Sequence, residues 1–235
     1  MSKSEQLISI LKKHQAAFHP VVHFDAAKEK ICLLDFTENN KELDKNILAH
    51  TNRFIQHIND KLQQAGAKYG IGGYAEHRTV YSRSKVFDAT SPGEEPRRLH
   101  LGIDIWGKPH TAVIAPLNGI VHSFAFNDNF GDYGATIILS HRLEEFSFYT
   151  LYGHLSLNSL KNLNGGERIE KGDVFAEFGI PLENGHWPPH LHFQIIIDLQ
   201  GYEGDYPGVC KFSEREKYLD NCPDPDLILQ LNQYL

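Results

Sequence analysis

The sequence lacks the marks of several common protein classes. Its 235 residues include only three cysteines, an odd number at wide spacing. Cys32, Cys210 and Cys222 therefore suggest neither a disulfide framework nor a Cys-x-x-Cys zinc site, and we expect free thiols. No apolar run approaches the length of a membrane span, and residues 1–7 contain no apolar signal core. These features predict a cytoplasmic protein with no membrane partner, unless a leader has been removed.

The chain also lacks an excess of positive charge. Its formal net charge is −7, which argues against nonspecific binding to nucleic acid. The helical His-Glu-x-x-His motif of many zinc peptidases is absent as well. Hydrophobic residues make up 41% and charged residues 23%, as in an ordinary globular protein, and nothing in the composition indicates an oligomeric state. Histidine is abundant, with 14 residues, and this directs attention to metal or proton chemistry.

The hydrophobic pattern divides the chain into three parts. Apolar residues at helical spacing predict a short helix near the N-terminus and a second helix over residues 41–65, which Gly66 would cap. Short apolar runs separated by turns follow, a pattern typical of an all-β sandwich or barrel. We therefore predict a mainly β protein with an N-terminal helical extension (1–68), a β-sandwich (69–200) and a C-terminal tail with a short helix that packs on the core (201–235).

Two histidines begin an apolar run near the end of the predicted sandwich. His190 and His192 are two residues apart, so in a strand their rings project from the same face, together with Gln194. Leu191 and Phe193 then face a core. Two imidazoles on one face of a sheet are more than a core requires.

A second strand places a histidine and an acid on one face. In the segment Leu99–Trp106, His100, Gly102 and Asp104 alternate with aliphatic residues. Imidazole nitrogen and carboxylate oxygen are both good zinc ligands, and the glycine leaves space between them. A half-buried His100–Asp104 pair would explain these two residues without a metal. His192 would provide a third ligand and leave a coordination position open, as in catalytic zinc sites.

A third strand carries Tyr152 and His154. The alternation of side chains in a strand would put both on one face. By itself, His154 is more simply explained as a histidine at the end of a strand.

The three motifs together resemble a known family. His-x-x-x-Asp, Tyr-x-His-Leu and His-x-His occur in this order between residues 97 and 198, with turns at residues 115–119 and 171–173. This set is similar to the lysostaphin-type (LytM-like) zinc metallopeptidases of peptidase family M23. The resemblance implies an antiparallel β-sandwich of the duplicated hybrid motif type, with the site in a groove on its sheet.

The resemblance also implies roles for individual residues. By this likeness His100, Asp104 and His192 bind one Zn²⁺ per chain, and His190 and His154 are the catalytic histidines that do not bind metal. The substrate would be a peptide or amide, with a cell-wall peptide as one candidate.

Three further residues are candidates for contact with the substrate. The guanidinium of Arg78 could hold a carboxylate or phosphate, or form an ion pair with Glu76 or another acid. His186 and Tyr152 are candidates for the wall of the groove.

Two other functions would fit the same motifs. A phosphocarrier domain of the sugar phosphotransferase type uses two facing histidines on a related sandwich, without a metal. Asp104 speaks against it, because a carboxylate next to a phosphohistidine would repel the phosphate. A non-catalytic binding module is the other alternative, and the complete set of His100, Asp104, His154, His190 and His192 speaks against that.

The metal content of the purified protein distinguishes these functions. We predict one zinc per chain, lost in His192→Ala because this change removes one of the three ligands. Elemental analysis of both proteins after gel filtration measures it. A metal-free protein that accepts phosphate from a phosphohistidine donor would favour the phosphocarrier.

Overall fold

The computed structural model describes residues 2–235 and has a mainly β architecture. The α-helices are α1 (Lys3–His14), α2 (Lys45–Ala49), α3 (Thr51–Ala65), α4 (Arg215–Asn221) and α5 (Asp226–Leu229). The strands are β1 (Ile31–Leu34), β2 (Tyr69–Gly72), β3 (Leu99–His100), β4 (Ile103–Trp106), β5 (Ala112–Ile114), β6 (Gly119–Asn127), β7 (Gly134–Leu143), β8 (Phe146–Leu155), β9 (Arg168–Ile169), β10 (Val174–Glu177), β11 (His190–Ile196) and β12 (Val209–Cys210).

Eight of these strands form one sheet in the order β1-β2-β4-β11-β8-β7-β6-β9. Every neighbouring pair is antiparallel except β1 and β2, which are parallel, so the sheet is mixed. The two-stranded sheet of β5 and β10 packs on one face, where Val113 and Ala176 share a core with Ile105 and Leu191. The predicted mainly β fold with a helical N-terminal extension is confirmed.

The N-terminal helices differ in one respect from the prediction. Residues 41–65 do not form a single helix, because His50 has extended backbone angles and separates α2 from α3. Gly66 ends α3 in the left-handed conformation (φ 60°), as its position predicts. Phe54 and Ile58 of α3 pack against Trp106 on the second face of the sheet. This helix therefore supports the strand that carries Asp104.

The C-terminal residues pack on both faces: Ile228 and Leu229 of α5 join the core on the first face, and residues 206–222 pack on the second. Tyr206, Cys210 and Cys222 share a cluster with Leu151 of β8. All three cysteines are free thiols, which confirms the expectation from their spacing. Among residues 2–235, none of the helices combines the length and the apolar character that a membrane crossing requires.

One buried histidine makes the stability of this sheet depend on pH. Nδ1–H of His141 donates to the carbonyl of Asn118 at 2.8 Å, and Nε2 accepts from Thr150 at 2.7 Å. Burial lowers the pKa of His141 from 6.5 to about 4. Between pH 6.5 and about pH 4, the imidazole of His141 binds a proton in the unfolded chain but not in the folded chain. The free energy of unfolding therefore falls as the pH falls through this range.

We predict that His141→Gln weakens this pH dependence. Between neutral pH and pH 4 the variant should lose less stability than the original chain, by up to about 3 kcal/mol. Urea unfolding at a series of pH values measures the difference. His122→Gln, at an exposed position of β6, is the control. Parallel stability curves for His141→Gln and the original chain would contradict the assignment.

Candidate metal centre

The candidate site lies on the sheet face where three neighbouring strands meet. β11 is hydrogen-bonded to β4 on one side and to β8 on the other. His192 of β11 is directly opposite Asp104 of β4 and Gly153 of β8. Strand β3 brings His100 to the same place, because the chain bends at Leu101 and Gly102 between β3 and β4. The spacing-based prediction that these three side chains face each other agrees with the structure.

Three atoms of these residues form a small triangle. His100 Nε2 is 3.0 Å from His192 Nδ1 and 3.2 Å from Asp104 Oδ1, and the third side measures 3.1 Å. Side chains of all three residues are at most 4% exposed. Ligands about 2.0–2.1 Å from a tetrahedral zinc would be about 3.3 Å apart. The triangle therefore has nearly the dimensions of one face of a zinc coordination tetrahedron.

Hydrogen bonds on the far side of each ring determine which nitrogen carries the proton. His100 Nδ1–H donates to the carbonyl of Gly73 at 2.9 Å, which leaves a lone pair on Nε2. His192 Nε2–H donates to Gln194 Oε1 at 3.0 Å, which leaves a lone pair on Nδ1. The amide of Gln194 is oriented in turn by its donation to the carbonyl of Pro207. Both lone pairs consequently point into the triangle.

The triangle thus contains three acceptors and no donor. Burial, and after it the charge of Arg78, lowers the pKa of His100 to about 3, so this ring is neutral at physiological pH. Burial opposes ionisation of Asp104, but His100 and Arg78 outweigh it and hold the pKa of this carboxyl well below its usual range. With the ring protons on the outer nitrogens, both imidazoles and the carboxylate direct lone pairs at each other, and a cation between them would relieve this repulsion. The donor set fits Zn²⁺.

Arg78 supports this cluster from behind. Its Nη1 donates to Asp104 Oδ2 at 2.5 Å, its Nε to Glu76 at 2.7 Å and its Nη2 to the carbonyl of Gly73 at 3.2 Å. Only 1% of its side chain is exposed. The ion-pair interpretation of Arg78 therefore agrees with the structure, and its donors are directed to protein atoms. The carbonyl of Gly73 joins Arg78 and His100 in one network.

His154 and His190 lie together beside the triangle. Their ring centroids are 4.1 Å apart, and His190 stacks on Trp106 at 3.8 Å. Nδ1–H of His190 donates to the carbonyl of Pro188 and that of His154 to the carbonyl of Asn184, both at 2.8 Å. Within residues 2–235, Nε2 of neither ring has a hydrogen-bond partner. Burial lowers the pKa of His190 to about 4, and burial together with His190 lowers the pKa of His154 well below its usual range.

The backbone of β8 is irregular at His154, and this corrects the expectation for Tyr152. His154 has φ 62°, and the pairing of β8 with β7 shifts register between Ala135 and Ile137. The extra residue breaks the alternation of side chains. Tyr152 consequently points to the opposite face, where it packs against Phe175 and Phe193. The structure does not bring Tyr152 to the site.

His186 is also away from the triangle. Its half-buried ring stacks on Phe130 at 5.4 Å, and its carbonyl accepts a hydrogen bond from Thr51. It is not among the residues that line the cavity above the triangle.

That cavity has a volume of about 230 Å³. Asp104, His154, His190 and His192 form part of its lining, together with side chains from residues 78–97, 131–133 and 202–209. Asp205 is one of them, and burial, together with the nearby Asp132, raises the pKa of its carboxyl. Both tryptophans of the chain, Trp106 and Trp187, also line it.

Sequence reasoning missed two contributions to this site. Trp106 lies two residues after Asp104 in β4, so strand phase could have placed it on the face of the site. The bond between Arg78 and Asp104 joins residues 26 positions apart, and no local pattern indicates it.

The β-sheet and its two-histidine, one-aspartate cluster define a mainly β protein with a candidate metal site. Residues 98–203 match the family model described as Peptidase family M23. This stretch therefore matches the family that its motifs also resemble.

The chain is also similar to individual proteins. The chain is 33% identical over 153 residues to an uncharacterized metalloprotease of Haemophilus influenzae, which covers 65% of this chain and 29% of that protein. This chain thus spans less than a third of that relative. The catalytic domain of lysostaphin from Staphylococcus simulans is 19% identical and aligns with 70% of this chain and 96% of its own, at a TM-score of 0.39. The catalytic domain of the prophage-encoded M23 protein EnpA from Enterococcus faecalis is 18% identical, over 51% of this chain and 86% of that chain, at a TM-score of 0.36.

Gly102 offers a direct test of the triangle. A Cβ at this position would lie 2.5 Å from Cε1 of His192 and 2.8 Å from the carbonyl oxygen of Phe193. We predict that Gly102→Ala displaces the His192 ring and weakens zinc binding by about 10–100-fold, the range typical of a misoriented ligand. Competition with a chromophoric chelator measures the affinity.

Gly73→Ala is the matched control, because its Cβ would meet nothing closer than 3.9 Å. The control should keep the original zinc affinity. Equal zinc affinities in Gly102→Ala and the original chain would contradict the proposed position of His192.

Proposed function

We propose that this chain is a zinc-dependent peptidase in which His100, Asp104 and His192 hold the metal. The observation that supports this most strongly is the triangle of three buried acceptors without a donor. A bound Zn²⁺ would polarise the peptide carbonyl and make water a stronger nucleophile near neutral pH. The family of residues 98–203 is consistent with this chemistry.

His190 is the residue that we propose as the proton acceptor. Its Nδ1–H is engaged by the carbonyl of Pro188, so Nε2 of the neutral ring carries a lone pair. The lowered pKa keeps the ring neutral and ready to accept a proton at physiological pH. Stacking on Trp106 holds the plane of the ring. His190 would take a proton from the attacking water at Nε2 and return it to the leaving amine.

His154, at the end of the neighbouring strand β8, also has its Nδ1–H bound to a backbone carbonyl and its Nε2 without a partner among the described residues. Its Nδ1–H is bound to the carbonyl of Asn184, so Nε2 must first take up a proton before it can donate one. We propose that His154 takes up a proton from solvent in the cavity and donates it to the oxyanion or, in place of His190, to the leaving amine. The left-handed backbone at this residue turns the ring toward His190, at a cost of about 1–3 kcal/mol.

Arg78 is better explained as a support for Asp104 than as a substrate-binding residue. Four of its N–H donations go to Asp104, Tyr81, Glu76 and the carbonyl of Gly73. A substrate carboxylate would have to displace one of these partners. We propose that Arg78 fixes the orientation of Asp104 and balances its charge.

A phosphocarrier remains the less favoured function. A phosphoryl group on His100 or His192 would lie within about one bond length of the Asp104 carboxylate, given the 3.1–3.2 Å separations. The peptide substrate follows from the family, and a cell-wall peptide is one candidate for it.

The proposed division of roles predicts the behaviour of His190→Ala. The variant should bind zinc as the original chain does, because His190 is not part of the triangle. Its kcat should fall by on the order of 10²–10⁴, the usual contribution of a general base or acid. Zinc-dependent release of amines from a panel of peptide and amide substrates measures kcat, and metal analysis measures zinc.

His122→Ala serves as the control, since this histidine is exposed on β6. His122→Ala should change neither kcat nor the amount of bound zinc. Full activity in His190→Ala would remove His190 from the mechanism, and loss of zinc would make it part of the metal site.

A further inference from the structure

A loop from outside the family-matched region covers the candidate site. We call residues 79–97 the strap. The backbone N–H of Arg78 donates to the carbonyl of Arg98 at 2.8 Å, so the two ends of the strap lie side by side. Between them the chain forms only two short 3₁₀-helices, Val80–Arg83 and Lys85–Phe87. The family match begins at residue 98, so the strap is additional to the family domain.

The strap provides one wall of the cavity above the triangle. The side chains that it contributes to the lining are mostly apolar or aromatic: Val80, Tyr81, Val86, Phe87 and Arg97. Tyr81 is held by Arg78, which donates to its hydroxyl at 3.2 Å, and Tyr81 in turn packs against Phe87 at 4.6 Å. This wall is therefore attached to the network that orients Asp104.

Residues 202–209 provide the opposite wall. Val209 in β12 pairs with His100 in β3, and Gly208 packs closely on Tyr133 and His192. Tyr202 and Tyr206 of this segment are part of the lining.

The two walls are joined to each other. Lys211 forms an ion pair with Glu94 of the strap at 2.5 Å. Both carboxylate oxygens of Glu95 accept backbone N–H groups, from Phe212 at 2.8 Å and from Ser213 at 3.1 Å. Beneath this junction, Leu101 N–H donates to the carbonyl of Gly208. These contacts hold the strap and the opposite wall at a fixed spacing.

The cavity is small. Its volume of about 230 Å³ is below the roughly 300–1,000 Å³ of pockets for drug-sized ligands. The three residues of the triangle are 0–3% exposed, and His154 and His190 are 6% and 2% exposed. The reacting atoms of a substrate must therefore reach buried side chains at the base of a small cavity.

We infer that the enzyme hydrolyses short peptides or small amides that enter this cavity whole, in preference to bonds inside a long or cross-linked chain. The inference rests on the proposed peptidase function, because it assigns the substrate class to the same site. The walls select by size, because the contacts between them limit how far they can separate around a small cavity. The apolar side chains of Tyr81, Val86 and Phe87 favour a small apolar group beside the reacting amide.

Binding and turnover test the inference separately. The only two tryptophans, Trp106 and Trp187, both line the cavity, so quenching of their fluorescence reports its occupation. The probes are a dipeptide hydroxamate and the same hydroxamate extended by eight residues, each titrated into the zinc-loaded protein. We expect the short probe to bind at least about tenfold more tightly, equivalent to about 1.4 kcal/mol. Equal affinities would overturn the inference.

Turnover distinguishes this inference from the proposed function. The kcat/KM for a dipeptide amide is compared with that for a ten-residue peptide, blocked at both ends, with the same bond at its centre. A preference of at least about tenfold for the dipeptide supports the inference, and equal values overturn it. Absence of zinc-dependent hydrolysis for both would refute the peptidase, while the ratio of hydroxamate affinities would still decide the size of ligand that the cavity accepts.

The junction between the walls can be loosened without changing the cavity lining. Glu94→Gln combined with Glu95→Gln removes the ion pair with Lys211 and weakens the two backbone contacts. We expect this double variant to bind the long probe about three- to tenfold more tightly than the original chain, with an unchanged affinity for the short probe.

Lys211→Met removes the same ion pair from the other side of the junction. This variant should also bind the long probe more tightly than the original chain. Glu145→Gln combined with Glu170→Gln removes two exposed ion pairs elsewhere and serves as the control. An unchanged affinity for the long probe in both junction variants would show that the walls do not limit the size of the ligand.

Discussion

The structure of the site depends on one unfavourable arrangement: three hydrogen-bond acceptors held within 3.2 Å of each other in a buried place. The surrounding contacts maintain it. Gly73 and Gln194 accept the outer protons of the two rings, so that neither proton can enter the triangle. Arg78 holds the second oxygen of Asp104, and Gly102 leaves the space that the His192 ring occupies. A divalent cation converts this repulsion into attraction, because each acceptor becomes a ligand.

Different parts of the chain contribute to this arrangement. The three acceptors lie on β3, β4 and β11, inside the region that matches peptidase family M23. Antiparallel pairing of β4 with β11 places Asp104 opposite His192, and β3 brings His100 beside them. The support for two of them comes from residues 73–81, which precede that region. The same preceding segment continues into the strap. Residues outside the matched region therefore orient His100 and Asp104 and also form one wall of the cavity.

Strand alternation placed His100 with Asp104 and His190 with His192, and the resemblance of the ordered motifs to a known family brought the two pairs together. Alternation was insufficient at β8, where the left-handed residue His154 breaks the alternation and sends Tyr152 to the opposite face. Strand alternation also cannot predict contacts between distant residues. The bond between Arg78 and Asp104, for example, depends on the pairing of β2 with β4. The mainly β class was predictable from short apolar runs, whereas the apolar pattern gives no sign of the break at His50, where the backbone is extended. The proposed domain boundaries stay predictions.

The central claim is that the three acceptors hold one zinc ion, and anomalous diffraction tests it most directly. Crystals of the protein purified without added metal would be measured on both sides of the zinc absorption edge. The structure predicts a single anomalous peak per chain, about 2.0–2.2 Å from His100 Nε2, Asp104 Oδ1 and His192 Nδ1. A peak at another position, or a zinc-saturated crystal without a peak between these three atoms, would contradict the account.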